Sequence, residues 1–77
     1  MSGREATRVR NRIRDARYRA GEMTQQALAD RVGLTRQTIN AIEQGKYSPT
    51  LEAAFRIARA LGVTLEEVFD YDDGAGG

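Results

Sequence analysis

The segment 24–43, TQQALADRVGLTRQTINAIE, constrains the fold more than any other part of the chain. Apolar residues recur in it at the spacing of one face of a helix: Leu28, Val32, Ile39 and Ile42. Gly33 interrupts this series, and glycine readily adopts the left-handed conformation that ends a helix. The segment therefore predicts two short helices joined by a tight turn.

Other residues of this segment support the same prediction. Thr24 and Thr35 precede the two helices, where a hydroxyl accepts a hydrogen bond from an otherwise unpaired amide. Ala29 is small enough for a close helix crossing, and Leu34 is expected to reach the core from the turn. Polar residues and one alanine remain on the outer side of the second helix: Arg36, Gln37, Thr38, Asn40 and Ala41. This layout is typical of a helix-turn-helix, whose second helix enters the DNA major groove. The alternative is an amphipathic helix pair in another small bundle.

The longer string MTQQALADRVGLTRQTINAIEQGKYSPTLEAAFRIARALGVTLEEVF resembles the Xre/Cro-cI-like regulators. The resemblance covers roughly residues 9–71. It implies an all-α fold, a compact five-helix bundle of the lambda-repressor-like DNA-binding type, which usually acts as a dimer on operator DNA. The segment 19–23 is one residue longer than the commonest connection between the first two helices, which blurs the alignment of the first helix.

The remaining helices are predicted from caps and apolar spacing. The first helix is expected from Thr7 to about Ala20, with an inner face of Val9, Ile13, Ala16 and Ala20. Thr50 is expected to cap a fourth helix with the buried stripe Leu51, Ala54, Phe55, Ala58 and Leu61. Thr64 and Glu67 form a capping box at a short fifth helix. A short extended segment is expected near 69–71.

These elements make one domain at 8–71, flanked by flexible ends at 1–7 and 72–77. The chain has 77 residues and neither cysteine nor histidine. This composition excludes disulfides, zinc fingers of the Cys/His type, and thiol or histidine catalysis. The acidic residues form no metal-spaced cluster, so no enzyme activity, cofactor or metal is expected. No apolar run is long enough for a membrane span and no secretory signal is present, which favours a cytoplasmic protein.

The formal charge of +1 conceals an uneven distribution. Residues 1–47 carry a balance of +5, whereas residues 48–77 carry −4. The predicted helix-turn-helix lies in the positive half, so a basic side is available to phosphate. The alternative is that exposed arginines simply keep a small domain soluble.

The start of the third helix supplies the candidates for reading base edges. Arg36 suits guanine, Gln37 or Asn40 suits adenine, and the methyl group of Ala41 suits thymine. Each of them could instead be an ordinary helix residue. Phosphate contacts are expected from residues that flank this helix: Gln25, Thr35, Thr38, Lys46 and Tyr47. Arg12 and Arg14 are less favoured because of the longer first connection.

The family resemblance also implies a structural role for Glu43, an acid that would otherwise repel DNA. We expect an ion pair between Arg17 and Glu43 that fixes the first helix to the third.

The apolar residues near the C-terminal end are interpreted in two ways, as ordinary core or as a dimer interface. For Val63 and Leu65 the core is favoured, whereas a homodimer interface is expected to include Val68, Phe69 and Tyr71.

Two functions of different classes follow from these observations. The first is a sequence-specific transcription regulator that binds double-stranded DNA at a near-palindromic operator as a homodimer. The second is a protein-binding module, such as an antitoxin-like partner that uses the same fold. The basic first half and the polar third helix favour the regulator, and no small-molecule ligand is evident.

Overall fold

A computed structural model of the chain describes residues 7–73. It contains five helices, α1 (Ile13–Arg19), α2 (Gln25–Val32), α3 (Arg36–Glu43), α4 (Leu51–Leu61) and α5 (Leu65–Val68). Two short strands, β1 (Val9–Asn11) and β2 (Phe69–Tyr71), form an antiparallel sheet. The five predicted helices are present in order, but the sheet makes a purely all-α description approximate. The expected flexible ends fall mainly at 1–6 and 74–77, outside the described residues.

Four threonines begin four of the helices, as the sequence predicts. Each hydroxyl oxygen accepts a hydrogen bond of 3.0–3.1 Å from the amide three residues further along the chain. These residues are Thr24, Thr35, Thr50 and Thr64. At the last of them, Glu67 also accepts from the Thr64 amide at 2.7 Å, which completes the predicted capping box. Local chemistry therefore fixes where α2, α3, α4 and α5 start.

The core draws apolar side chains from every helix and from β2. Its buried members are Ile13, Ala16, Leu28, Ala29, Val32, Ile39, Ile42, Ala54, Ile57, Ala58, Leu61, Val68 and Phe69. Ala29 is fully buried in α2, and α2 and α3 are in contact, so the small side chain suits a close crossing. Leu34 packs against the core from the turn, as expected. The turn itself depends on Gly33, whose φ of +76° is in the left-handed region.

The predicted start of the first helix at Thr7 is wrong. Residues 9–11 are extended, with Val9 opposite Tyr71 and Asn11 opposite Phe69. The strand continues into the helix because the Arg12 amide donates to the Val68 carbonyl at 2.8 Å. Pairing with β2 satisfies these backbone groups between strands rather than within a helical turn. The helix consequently begins at Ile13 and ends before Ala20, which is exposed rather than buried.

The apolar stripe of α4 is also displaced from its predicted position. Ile57 is fully buried, whereas Leu51 and Phe55 are exposed by 69 % and 48 %. The helix carries apolar residues on two neighbouring faces, and periodicity alone does not show which face packs inward. The core takes the face of Ala54, Ile57, Ala58 and Leu61, and the other face is left on the surface.

Candidate nucleic-acid interface

The first turn of α3 presents two polar side chains to solvent. Arg36 and Gln37 are exposed, and neither side chain makes a hydrogen bond or ion pair with other residues of the range 7–73. Their backbone is held in place by the cap, since Thr35 Oγ1 accepts from the Thr38 amide at 3.1 Å. The Thr35 and Thr38 hydroxyls also bond to each other at 2.9 Å. The two leading candidates for base contact thus have exposed side chains on a helix start whose backbone is held by a cap.

The other two candidates on α3 are less open. Ala41 and Asn40 are half-buried, one helical turn beyond the exposed pair. Asn40 Oδ1 accepts from Gln25 Nε2 at 3.2 Å and from Gln44 Nε2 at 3.4 Å. Sequence analysis did not anticipate this link between α2 and α3. The side chain of Asn40 is therefore oriented by its neighbours, unlike that of Arg36.

The ion pair expected between Arg17 and Glu43 is present. Arg17 Nε lies 2.7 Å from Glu43 Oε2, and its Nη2 donates to Oε1 at 3.2 Å. The two side chains are only 11 % and 9 % exposed. Arg17 Nη1 also donates to the Met23 carbonyl at 2.8 Å, in the connection that leads to α2. A two-bond guanidinium–carboxylate pair of this kind joins α1 directly to the end of α3.

The candidates for phosphate contact lie on different elements of the fold. Gln25 opens α2, where free amides and the helix dipole favour an anion. Its side-chain nitrogen is directed inward, because Nε2 donates to both Asn40 and Glu43 at 3.2 Å. Lys46 and Tyr47 are exposed in the loop after α3. Phosphate binding by Gln25, Lys46 and Tyr47 stays a prediction, as does phosphate binding by Thr35 and Thr38.

A concave polar surface, which we call the α1–α3 cleft, runs beside α3. Its lining residues are Asn11, Arg12, Arg14, Asp15, Arg17, Tyr18, Gln25, Asn40, Glu43 and Gln44. Arg12 and Arg14, the less favoured phosphate candidates, are both exposed on this surface. Basic residues at the start of α1 therefore lie on the same side of the molecule as part of α3.

Four residues of the cleft are not among the site residues predicted from the sequence: Asn11, Asp15, Tyr18 and Gln44. Asn11 Nδ2 donates to the Ile42 carbonyl at 2.8 Å, and its Oδ1 accepts from the Ile13 amide at 3.1 Å. It thereby joins β1, the start of α1 and the end of α3. The bond from the Ile13 amide, two residues further along, is a local turn that asparagine commonly forms, whereas the contact with α3 depends on the tertiary fold.

The burial of one residue contradicts its expected place in a homodimer interface, namely Phe69. This side chain is 8 % exposed and Val68 is fully buried, so both belong to the core of one chain. Their burial follows from the sheet and from α5, which hold residues 68 and 69 against α4. Tyr71 is 62 % exposed, beside a groove that Leu51, Val9 and Pro49 also line. An apolar surface therefore exists near the expected place, but with different members.

Two further properties concern residues 7–73 alone. In this range there is no group of three or more acidic, histidine or cysteine side chains that could hold a metal ion. None of the helices is long and apolar enough to cross a bilayer.

Comparison with known proteins places this geometry in a family. The helix-turn-helix family profile matches residues 13–68. An HTH-type transcriptional regulator of Methanothermobacter thermautotrophicus is 55 % identical over 69 residues, which cover 87 % of this chain and 99 % of that protein. A second, from Methanocaldococcus jannaschii, is 53 % identical over 57 residues, covering 73 % of this chain and 86 % of the relative.

A solved structure supports the fold independently. The crystal structure of a putative DNA-binding protein from Bacteroides fragilis superposes with a TM-score of 0.72 and 24 % identity. The match covers 80 % of this chain and 98 % of that chain. The capped helix pair, the ion pair beneath it and the matching relatives lead to one conclusion: the chain belongs to the Xre/Cro-cI-like family of helix-turn-helix DNA-binding transcription regulators.

Proposed function

We propose that the protein is a sequence-specific transcription regulator that places α3 in the major groove of a near-palindromic operator. The exposed pair Arg36 and Gln37 carries this proposal. Both lie in the first turn of α3, the part of a reader helix that meets base edges. Both are without partners among residues 7–73, so their donors and acceptors are available to DNA. Arg36 suits the two acceptors of guanine, and Gln37 suits adenine.

The surroundings of α3 support backbone contacts on either side. Lys46 and Tyr47 follow the helix, and Arg12 and Arg14 line the adjoining cleft. Amides at the start of α2, beginning at Gln25, add a site that favours a phosphate oxygen. Such contacts fix the position of a protein on DNA but carry little sequence information. Base contact at Asn40 and Ala41 is part of the same proposal.

A homodimer would account for the exposed apolar side chains. Leu51 and Phe55 lie one turn apart on α4, and Tyr71 lies on β2 beside the groove that Leu51 lines. Clustered exposed apolar residues usually mark an interaction surface. A two-fold pair would present two α3 helices about 34 Å apart for successive major grooves. We propose that the dimer contact consists of Leu51, Phe55 and Tyr71, without Val68 and Phe69.

Selection of bound sequences from random DNA, followed by affinity measurements over a range of salt concentrations, tests the regulator function. We expect an enriched, near-palindromic motif. Arg36→Ala and Gln37→Ala should each relax the preference at one base pair per half-site, at a cost of about 1–3 kcal/mol. Lys46→Ala should weaken binding to all sequences and reduce the salt slope by about one.

Arg59→Ala serves as the matched control. Arg59 is exposed on α4, so this substitution removes the same charge outside the proposed interface. It should leave the motif unchanged. Selection without an enriched motif, together with a salt slope near zero, would contradict the regulator and favour a protein-binding module.

A further inference from the structure

The side-chain oxygen of Asn40, Oδ1, accepts two hydrogen bonds from other side chains of the protein. It accepts from Gln25 Nε2 at 3.2 Å and from Gln44 Nε2 at 3.4 Å. An amide oxygen has two lone pairs, so these two donors use its capacity. The Asn40 nitrogen, with two N–H donors, has no partner in residues 7–73. The side chain thus offers donors only.

This orientation is fixed by a chain of partly buried contacts. Gln25 Nε2 also donates to Glu43 Oε1 at 3.2 Å, which accounts for both of its hydrogens. Glu43 is in turn held by Arg17 at 2.7 Å in the nearly buried ion pair. A carboxylate only accepts, so the nitrogen of Gln25 must face Glu43. The same nitrogen then requires an oxygen from Asn40, because the opposite amide orientation would bring two sets of N–H groups together.

The major groove distinguishes a donor-only side chain from an ordinary asparagine. Asparagine pairs with adenine by donating to N7 and accepting from the N6 amino group, which needs a free oxygen. Guanine instead presents two acceptors, N7 and O6, while the cytosine edge offers a donor. A side chain that only donates therefore matches guanine best and opposes cytosine.

We infer that Asn40 reads guanine rather than adenine, and that Gln25 is the positioning residue that sets this choice. The inference rests on the proposed function, since it requires α3 in the major groove. It assigns Gln25 a role in base specificity, in addition to the phosphate contact expected at its backbone amide. Specificity at this base pair is then determined partly by a residue of α2 that need not touch the base.

The test is sequence selection with the full chain and four variants. The wild-type motif should contain one base pair per half-site at which guanine is preferred and at which Asn40→Ala removes the preference. Asn40→Asp, which only accepts, should shift that preference to cytosine, by about ten-fold in relative affinity. Gln25→Met keeps the length of the side chain but loses the shorter of the two bonds to Asn40 Oδ1. It frees one lone pair of that oxygen and should therefore raise adenine at the same base pair. Gln26→Met, on the exposed side of α2, is the matched control and should change nothing.

A second measurement uses only wild-type protein and Asn40→Ala, so it does not depend on the folding of a Gln25 variant. Replacing the selected guanine by 7-deazaguanine removes the N7 acceptor. Wild-type affinity should fall by about ten-fold, and Asn40→Ala affinity should not change. An intact motif with adenine at the Asn40-dependent base pair, or with no dependence on Asn40 at all, would overturn the inference while the regulator function stands. The absence of any motif for the wild-type chain would overturn both.

Discussion

Arg17 and Glu43 show what a single pair of residues does in this domain. Removing the arginine leaves a carboxylate that is 9 % exposed without its cation, and such a group is costly to keep charged. We expect Arg17→Met to lower the free energy of unfolding by about 3 kcal/mol, measured by urea denaturation. Operator affinity should fall as well, because α1 and α3 lose their link.

The controls use a second ion pair of the same types. Arg56 and Glu52 lie 3.0 Å apart on α4, with side chains 58 % and 78 % exposed. Arg56→Met should change stability by no more than about 0.5 kcal/mol, since exposed pairs contribute little. The double variant Arg17→Met/Glu43→Met should be more stable than Arg17→Met alone. Equal losses from Arg17→Met and Arg56→Met would show that burial of the pair is irrelevant.

Backbone conformation gives a second prediction for single residues, with opposite signs at two turns. Gly33 has a φ of +76°, and an added Cβ would come no closer than 3.7 Å to Arg56. Gly33→Ala should therefore destabilise by about 1 kcal/mol through backbone strain alone. Glu22 already has a φ of +59° without being glycine, so Glu22→Gly should stabilise by about 1 kcal/mol. Thermal unfolding of both variants checks the signs, and a destabilised Glu22→Gly would contradict the strain argument.

In the two-stranded sheet, an ion pair joins the same two strands that the backbone hydrogen bonds join. Asp70 on β2 accepts from Arg10 Nε at 2.9 Å and from Arg12 Nη2 at 3.0 Å. The hydrogen bond from Arg10 is the main reason that the pKa of Asp70 lies below its ordinary value of 3.8. The stabilisation is present above that value and is lost as the pH falls through the lower pKa of the folded state.

We therefore expect Arg10→Gln to raise the pKa of Asp70 towards 3.8, measured by NMR titration of the carboxyl carbon. Arg12→Gln should raise it less, because Arg12 makes the smaller contribution. Arg8→Gln, also exposed in this segment, is the control and should leave the titration unchanged. A pKa that does not respond to Arg10→Gln would contradict the assignment of cause.

The helices and strands differ in how well the sequence alone predicts them. The helix starts were predictable because Thr24 and its three counterparts act on amides three residues away, and such chemistry is visible in sequence. The strand β1 was not predicted, since its partner is sixty residues distant and Val9 fits a helical face equally well. The exposed stripe of Leu51 and Phe55 was misplaced because α4 has two apolar faces. Similarly, Arg36 and Gln37 were placed correctly on the outer side, whereas the bond from Gln25 to Asn40 depends on how α2 crosses α3.

For the whole molecule, the exposed apolar surface predicts association. Leu51→Glu and Phe55→Glu place a charge where a second copy would bury a side chain, which is strongly unfavourable. We expect the wild-type chain to sediment as a dimer at micromolar concentrations and both variants to sediment as monomers. Tyr18→Glu is the control, because Tyr18 is an apolar side chain of intermediate exposure between Phe55 and Leu51 but lies in the α1–α3 cleft. A monomeric wild-type chain would remove the dimer from the proposal.

The antiparallel pairing of β1 with β2 has a consequence for the topology of the chain. The Asp72 amide donates to the Arg8 carbonyl at 2.8 Å, so the polypeptide enters and leaves the domain side by side. A short peptide joining these neighbouring positions would close the chain into a ring, and the unfolded ring would have less conformational freedom than the open unfolded chain. Such a ring should keep the proposed DNA interface, resist exopeptidases and unfold at a higher temperature than the open chain.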